Sequence, residues 1–230
     1  MNDRKVGLWA GGFGLVACVL TVLEFPLWMI SGAQPSLLDG DAYGQFVART
    51  SQLYLHRTLL DMFIFIFLLV FLAGFRQIIV EKSKEKEWLA TLFFGIGLVY
   101  VALTLVSDSL TGAVGLDAVG GTPDPVVLRA LTEATFLMYG SVALILLGGL
   151  LLVGGCLILS TRALPGWTGW LALAVALMCL AFVPSMYFGT DTTQFYSASG
   201  FGPSLGATFP FLIWICAVSV VMIRNRPIPG

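Results

Sequence analysis

Apolar residues are gathered into six long runs, at about 6–30, 53–80, 88–107, 126–160, 166–188 and 204–223, parted by shorter polar stretches. An apolar run of about 20 residues crosses roughly 30 Å of hydrocarbon as a helix. The pattern therefore predicts an all-α polytopic membrane protein, one domain over 1–230, built as a bundle of six transmembrane helices. Composition agrees: 58% of residues are hydrophobic and 11% charged, with a mean hydropathy of +0.93, far from a soluble domain. A net charge of -1 gives no basic surface for nucleic acid.

The first run follows Arg4 and Lys5 and contains two sequences that resemble processing signals. Leu15-Val16-Ala17-Cys18 matches a lipoprotein cleavage box, and Ser31-Gly32-Ala33 a signal-peptidase site. The run continues to Ile30, longer than the roughly 7–15 residues of a signal-peptide core, so a retained helix is expected. Gly7 and Gly11 form a GxxxG, which permits close helix approach. Cys18, Cys156, Cys179 and Cys216 all fall within apolar runs without CxxC spacing, and read as small buried apolar side chains rather than disulfides or metal ligands.

Charges inside the runs change the picture, because an ionisable group at membrane depth is costly and marks a functional site. Glu24 comes late in the first run, ahead of Pro26 and Trp28. The second opens on Tyr54, His56, Arg57 and Asp61, where His56 points about 100° away from Arg57. Arg57 and Asp61 are four apart and are expected to pair. Thr104, Asp108 and Thr111 form one stripe at the end of the third run, and Arg129, Glu133 and Tyr139 open the fourth. A second four-residue pair is expected between Arg129 and Glu133.

The connections are read by composition. The stretch 31–53 reads as a long polar connection with room for a short surface helix, and 81–87 as a solvated charged turn. Residues 111–125 read as a glycine-rich loop, with Pro125 at the start of the fourth helix. Pro210 is tolerated in the first half of the sixth, where neighbours satisfy the freed carbonyl.

After the fourth run come Arg162, Leu164-Pro165, Trp167 and Gly169-Trp170-Leu171. This turn resembles one found in uncharacterised bacterial multi-span families, among them the domain of unknown function numbered four-three-eight-six. The likeness extends to the second run, where Asp61 is followed by apolar residues and Arg76. The resemblance implies a multi-pass protein of the bacterial inner membrane, and carries no activity or catalytic residue with it.

If six helices alternate, Arg4, Lys5, Arg76, Lys82, Lys84, Lys86, Arg162, Arg224 and Arg226 share one side, against Arg49, Arg57 and Arg129 on the other. Nine against three places both termini in the cytoplasm. Glu24, Asp61, Asp108 and Glu133 then share one depth near the outer boundary with His56, Arg57 and Arg129. The expectation is that Glu24, Asp61 and Glu133 converge on an outward-facing polar cavity lined by helices one, two and four. Such a cavity would bind or transport a small molecule, cation or proton. Two alternatives stand beside it: a membrane enzyme using a carboxylate as acid or base, or a metal held by His56 and carboxylates; and an accessory subunit whose charges fix helix register. A single histidine argues against the metal site. Partners implied are the lipid bilayer, a small molecule or cation, and, for the accessory reading, further copies or a membrane complex. No motif specifies a cofactor.

Overall fold

The computed structural model describes residues 3–120 and 124–224, and the regular structure among them is entirely helical. Helix α1 spans Asp3–Ser31, α2 Gly40–Lys82, α3 Glu87–Gly120, α4 Pro125–Leu137 and α5 Ala143–Thr161. Then come α6, Gly166–Phe182, the single turn α7, Phe201–Pro203, and α8, Phe209–Arg224. A π-helical turn, Met138–Val142, joins α4 to α5, and another, Ser204–Thr208, joins α7 to α8. Counted across these turns, six helices are long and apolar enough to cross a membrane. Arg226, Pro227 and Pro229 lie outside the described residues, as does Gly121 in the expected 111–125 loop.

Two boundaries differ from those the sequence predicts. Helix α2 begins at Gly40, so the connection from α1 is only residues 32–39, and residues 40–52 are helix rather than polar loop. Asp39 caps it, its carboxylate accepting from the Ala42 amide at 3.0 Å. Helix α3 likewise runs on through 111–120, where glycine and aspartate read as loop. Tertiary packing overrides that composition. Tyr43, Phe46 and Val47 of α2 bury against Val114 of α3, Leu128 of α4 and Leu37. The Tyr43 and Thr132 hydroxyls are 2.8 Å apart across the α2–α4 contact. At about 1.5 Å per residue, the 43-residue α2 is roughly 65 Å long, about twice the thickness of a hydrocarbon core. Its first turns, with the end of α3 and the start of α4, build a separate apolar cap beyond one end of the bundle.

The main core lies below this cap. Phe71, Phe75, Phe93 and Trp214 are fully buried and bring α2, α3 and α8 together. The Phe75 and Phe93 ring centroids are 4.5 Å apart, and Trp214 meets Phe71 edge-on at 88°. The buried Trp214 indole donates to the Thr168 carbonyl of α6 at 3.1 Å.

Small residues set the helix spacing. A Cβ on Gly7 would stand 2.9 Å from the Met222 carbonyl oxygen, and one on Gly11 2.6 Å from that of Ser219. The GxxxG of α1 is thus the seam on which α8 lies, both helices close enough for backbone contact. Gly155 of α5 meets the Gly169 carbonyl of α6 in the same way, at 2.9 Å. The four cysteines are free; Cys18 and Cys179 are buried as expected, whereas Cys156 and Cys216 are exposed, on faces of α5 and α8 turned away from the core.

Candidate functional site

Between the cap and the main core lies a cavity of about 370 Å³. Its wall draws on both cores, with Tyr54, Val114 and Phe136 on one side and Phe65, Leu68, Leu147 and Ile215 on the other. Thr21 and Glu24 of α1, Arg57 and Asp61 of α2, and Asp108 and Thr111 of α3 face it. Tyr139 and Gly140 of the first π-helical turn do so too, as do Ala198, Ser199 and Gly200 in the segment before α7.

The helix pattern explains which charges arrive there. Along α4, Thr132, Thr135, Phe136 and Tyr139 repeat at three and four residues and form the lining face. Glu133 stands about 100° around from Thr132 and turns away. On α2 the lining residues Tyr54, Arg57, Asp61, Ile64 and Phe65 follow the same rule, and His56 is off that face.

The ion pairs are not all those expected. Arg57 does not take Asp61 as its partner; its Nε donates to Glu24 Oε1 of α1 at 2.9 Å, with both side chains largely buried. An arginine side chain is long enough to cross to a neighbouring helix, and Glu24 is presented there at the same height. Arg129 does pair with Glu133, at 2.8 Å, but on the exposed surface of α4. Glu133 and Arg129 are therefore not part of the cavity, which corrects the expected trio of Glu24, Asp61 and Glu133. Asp108 of α3 takes the third place. His56 is exposed, its Nδ1 lying 2.5 Å from the Gln52 carbonyl oxygen, and is also outside the cavity.

Asp108 is the most enclosed of the charged groups, with a relative exposure of 2%. Tyr139 donates its hydroxyl hydrogen to Asp108 Oδ1. The Asp108 backbone is held from α2, where the Thr58 hydroxyl donates to its carbonyl at 3.4 Å. Asp61, on α2, lines the same cavity. Oδ2 of Asp108 has no partner, and neither do Gln34 Nε2 and Ser199 Oγ, all three buried on residues that line the cavity. Buried polar atoms are seldom left unmatched in native proteins, and these three mark enclosed polar positions in the wall without a protein partner.

Gln34 and Ser199 were not among the residues the sequence singles out. Gln34 sits in the polar connection 31–53 and Ser199 in the segment before α7, and only the fold brings them to one cavity. Ser199 is held by a tight turn system in which the Ala198 amide donates to the Gly189 carbonyl at 2.9 Å. Gly189, at φ +74°, supplies the left-handed conformation that starts it. Outside the membrane-length helices, Asp191 anchors the same segment. Its carboxylate accepts from the Thr193 hydroxyl at 2.7 Å and the Thr193 amide at 2.9 Å, and these bonds hold it below the ordinary carboxylate range.

Among the described residues, no three His, Cys, Asp or Glu side chains gather closely enough to hold a metal ion. Comparison with protein-family models, with curated proteins and with solved structures found no match. The likeness to the family numbered four-three-eight-six therefore rests on the turn around Arg162 and on the Asp61–Arg76 pattern alone.

Proposed function

We propose that this chain is a multi-pass protein of the bacterial inner membrane, with both termini cytoplasmic. Its cavity opens toward the outer face and binds a small molecule, cation or proton for transport. The observation that carries the reading is the meeting of Glu24, Asp61 and Asp108, from three helices, at one cavity where a buried oxygen of Asp108 has no partner. Charges that served only to fix helix register would be sealed by packing; these border open space instead.

Surface chemistry supports the bilayer. Trp9, Val19, Ile66, Val99, Ile145, Leu177 and Ile213 are all exposed, and so broad an apolar surface belongs in lipid rather than water. Lys82, Lys84, Lys86 and Arg162 lie at the end of the bundle opposite the cap, and the nine-to-three bias puts that end in the cytoplasm. The cavity then lies on the outer side.

The test compares protein purified in lipid nanodiscs with a cavity-filling variant, Ala143→Phe, whose fold is checked by its melting curve. Extracted small molecules are identified by mass spectrometry, and proton entry is followed in vesicles loaded with a pH-sensitive dye. At least one bound compound, or a proton flux, is expected from the natural chain and not from the variant. Identical extracts together with identical flux would overturn the proposal.

A further inference from the structure

The charge balance at the cavity is uneven. Glu24 has its counter-ion in Arg57 at 2.9 Å. Neither Asp61 nor Asp108 has an ion-pair partner among the described residues, and Tyr139 satisfies only one oxygen of Asp108. An anion entering here would meet two uncompensated acids. Two neighbouring carboxyls in a cavity wall stay ionised together only beside a positive charge; without one, one of them holds a proton. A positive charge is the complement.

The rest of the wall selects among cations. A metal ion needs several oxygen ligands arranged closely around it, and no third acidic, histidine or cysteine side chain joins Asp61 and Asp108 in such a group among the described residues. The floor, moreover, is aromatic. Phe65 and Tyr100 meet edge to face at 6.3 Å, and Tyr100 and Phe211 at 6.1 Å. Rings in this arrangement give an apolar body a surface to pack on and attract an organic cation through their faces.

We infer that the cavity takes a monovalent organic cation with an apolar body, its charged head at Asp61 and Asp108 and its body on Phe65, Tyr100 and Phe211. This rests on the reading of the cavity as a small-molecule site and names the class of that molecule.

The test measures equilibrium binding to the full chain in nanodiscs. The probes are benzyltrimethylammonium, tetramethylammonium as the same head without the body, and benzenesulfonate as an anion of similar size. Benzyltrimethylammonium is expected to bind, tetramethylammonium about tenfold more weakly, and benzenesulfonate not at all. Asp61→Asn and Asp108→Asn should each weaken the cation about tenfold, whereas Arg129→Ala, outside the cavity, should not change it. The three probes on the natural chain decide the matter even if an asparagine variant fails to fold. Benzenesulfonate binding as tightly as the cation, and lost in Ala143→Phe, would overturn the charge selection while leaving a small-molecule site in place. No benzyltrimethylammonium bound at about 10 mM would overturn the inference, and the extraction experiment then judges the wider reading separately. Cation binding unchanged in Ala143→Phe would place it elsewhere and overturn the inference, again leaving the wider reading to the extraction experiment.

Discussion

Arg57 reaches across to Glu24 on α1 at 2.9 Å, although Asp61 stands one turn away on its own helix. The choice ties α1 to α2 and leaves Asp61 on the cavity wall without an ion pair. An intrahelical Arg57–Asp61 pair would have joined nothing to anything else. The inter-helix pair instead fixes where α1 stands against the cavity.

Removing one member of this pair strands the other in a largely buried place. Arg57→Ala is expected to cost about 2–4 kcal/mol, and Glu24→Gln in the same chain should recover part of that loss. A double-mutant cycle on detergent-solubilised protein measures the coupling. Arg129→Ala, which breaks the exposed Arg129–Glu133 pair, should cost no more than about 0.5 kcal/mol. Equal losses at the two sites would show that burial does not separate them.

The α1–α8 seam predicts a contrast between adjacent glycines. Gly11→Leu puts a side chain where the Ser219 carbonyl oxygen already lies, 2.6 Å from the new Cβ, and should destabilise by about 1–3 kcal/mol or more. A Cβ on Gly12 meets nothing within 4 Å, so Gly12→Ala should be neutral or add about 0.5–1 kcal/mol through helix propensity. Thermal melts of the two variants give the comparison directly.

These outcomes mark what the sequence made legible. The six apolar runs were, because hydrocarbon thickness imposes a length that composition reveals. Glu24, Asp61 and Asp108 stand out by their common depth near helix ends, and all three line the cavity; Tyr139 stands out only among the residues opening the fourth run. Depth says nothing of direction: Glu133 shares it and faces away, and His56, turned about 100° from Arg57 by helix geometry, also lies outside the cavity. The partner of Arg57 was hidden for a related reason: spacing along one helix favours Asp61, and only the packing of α1 presents Glu24. The outer turns of α2 and α3 read as loop because 31–53 is polar and glycine-containing and 111–125 is rich in glycine, aspartate and proline. What keeps them helical is the cap of Tyr43, Phe46, Val47, Val114 and Leu128, contributed by segments far apart in sequence.

The segment before α7 should respond to acid. Asp191 is ionised more readily in the folded chain than its ordinary value of 3.8, because Thr193 donates to the charged form. A group whose folded value is depressed contributes stability that is present above 3.8 and is lost as pH falls through the folded value. The turn system holding Ser199 should therefore loosen at the acid end of that range. Hydrogen exchange corrected for intrinsic rates, read at the Ala198 amide, should show protection falling there. In Asp191→Asn protection should be low already at neutral pH, and unchanged protection in that variant would show that Asp191 does not anchor the turn.

The proposed orientation is checked by labelling single cysteines in intact cells, after Cys18, Cys156, Cys179 and Cys216 are replaced by alanine or serine. Glu85 lies in the charged turn between α2 and α3, with Lys82, Lys84 and Lys86 around it. Basic residues resist translocation, so Glu85→Cys should be closed to a membrane-impermeant thiol reagent until the cells are opened. Leu38, 79% exposed, lies in the connection at the other end of the bundle, and Leu38→Cys should react from outside. Ser199→Cys separates access to the cavity from orientation alone. Its oxygen is buried, so a small charged methanethiosulfonate should reach it more slowly than Leu38→Cys, and more slowly still once Ala143→Phe has filled the space below. Glu85→Cys reacting in intact cells while Leu38→Cys does not would reverse the topology. The cavity would then open to the cytoplasm, and transport would have to be argued from the inside.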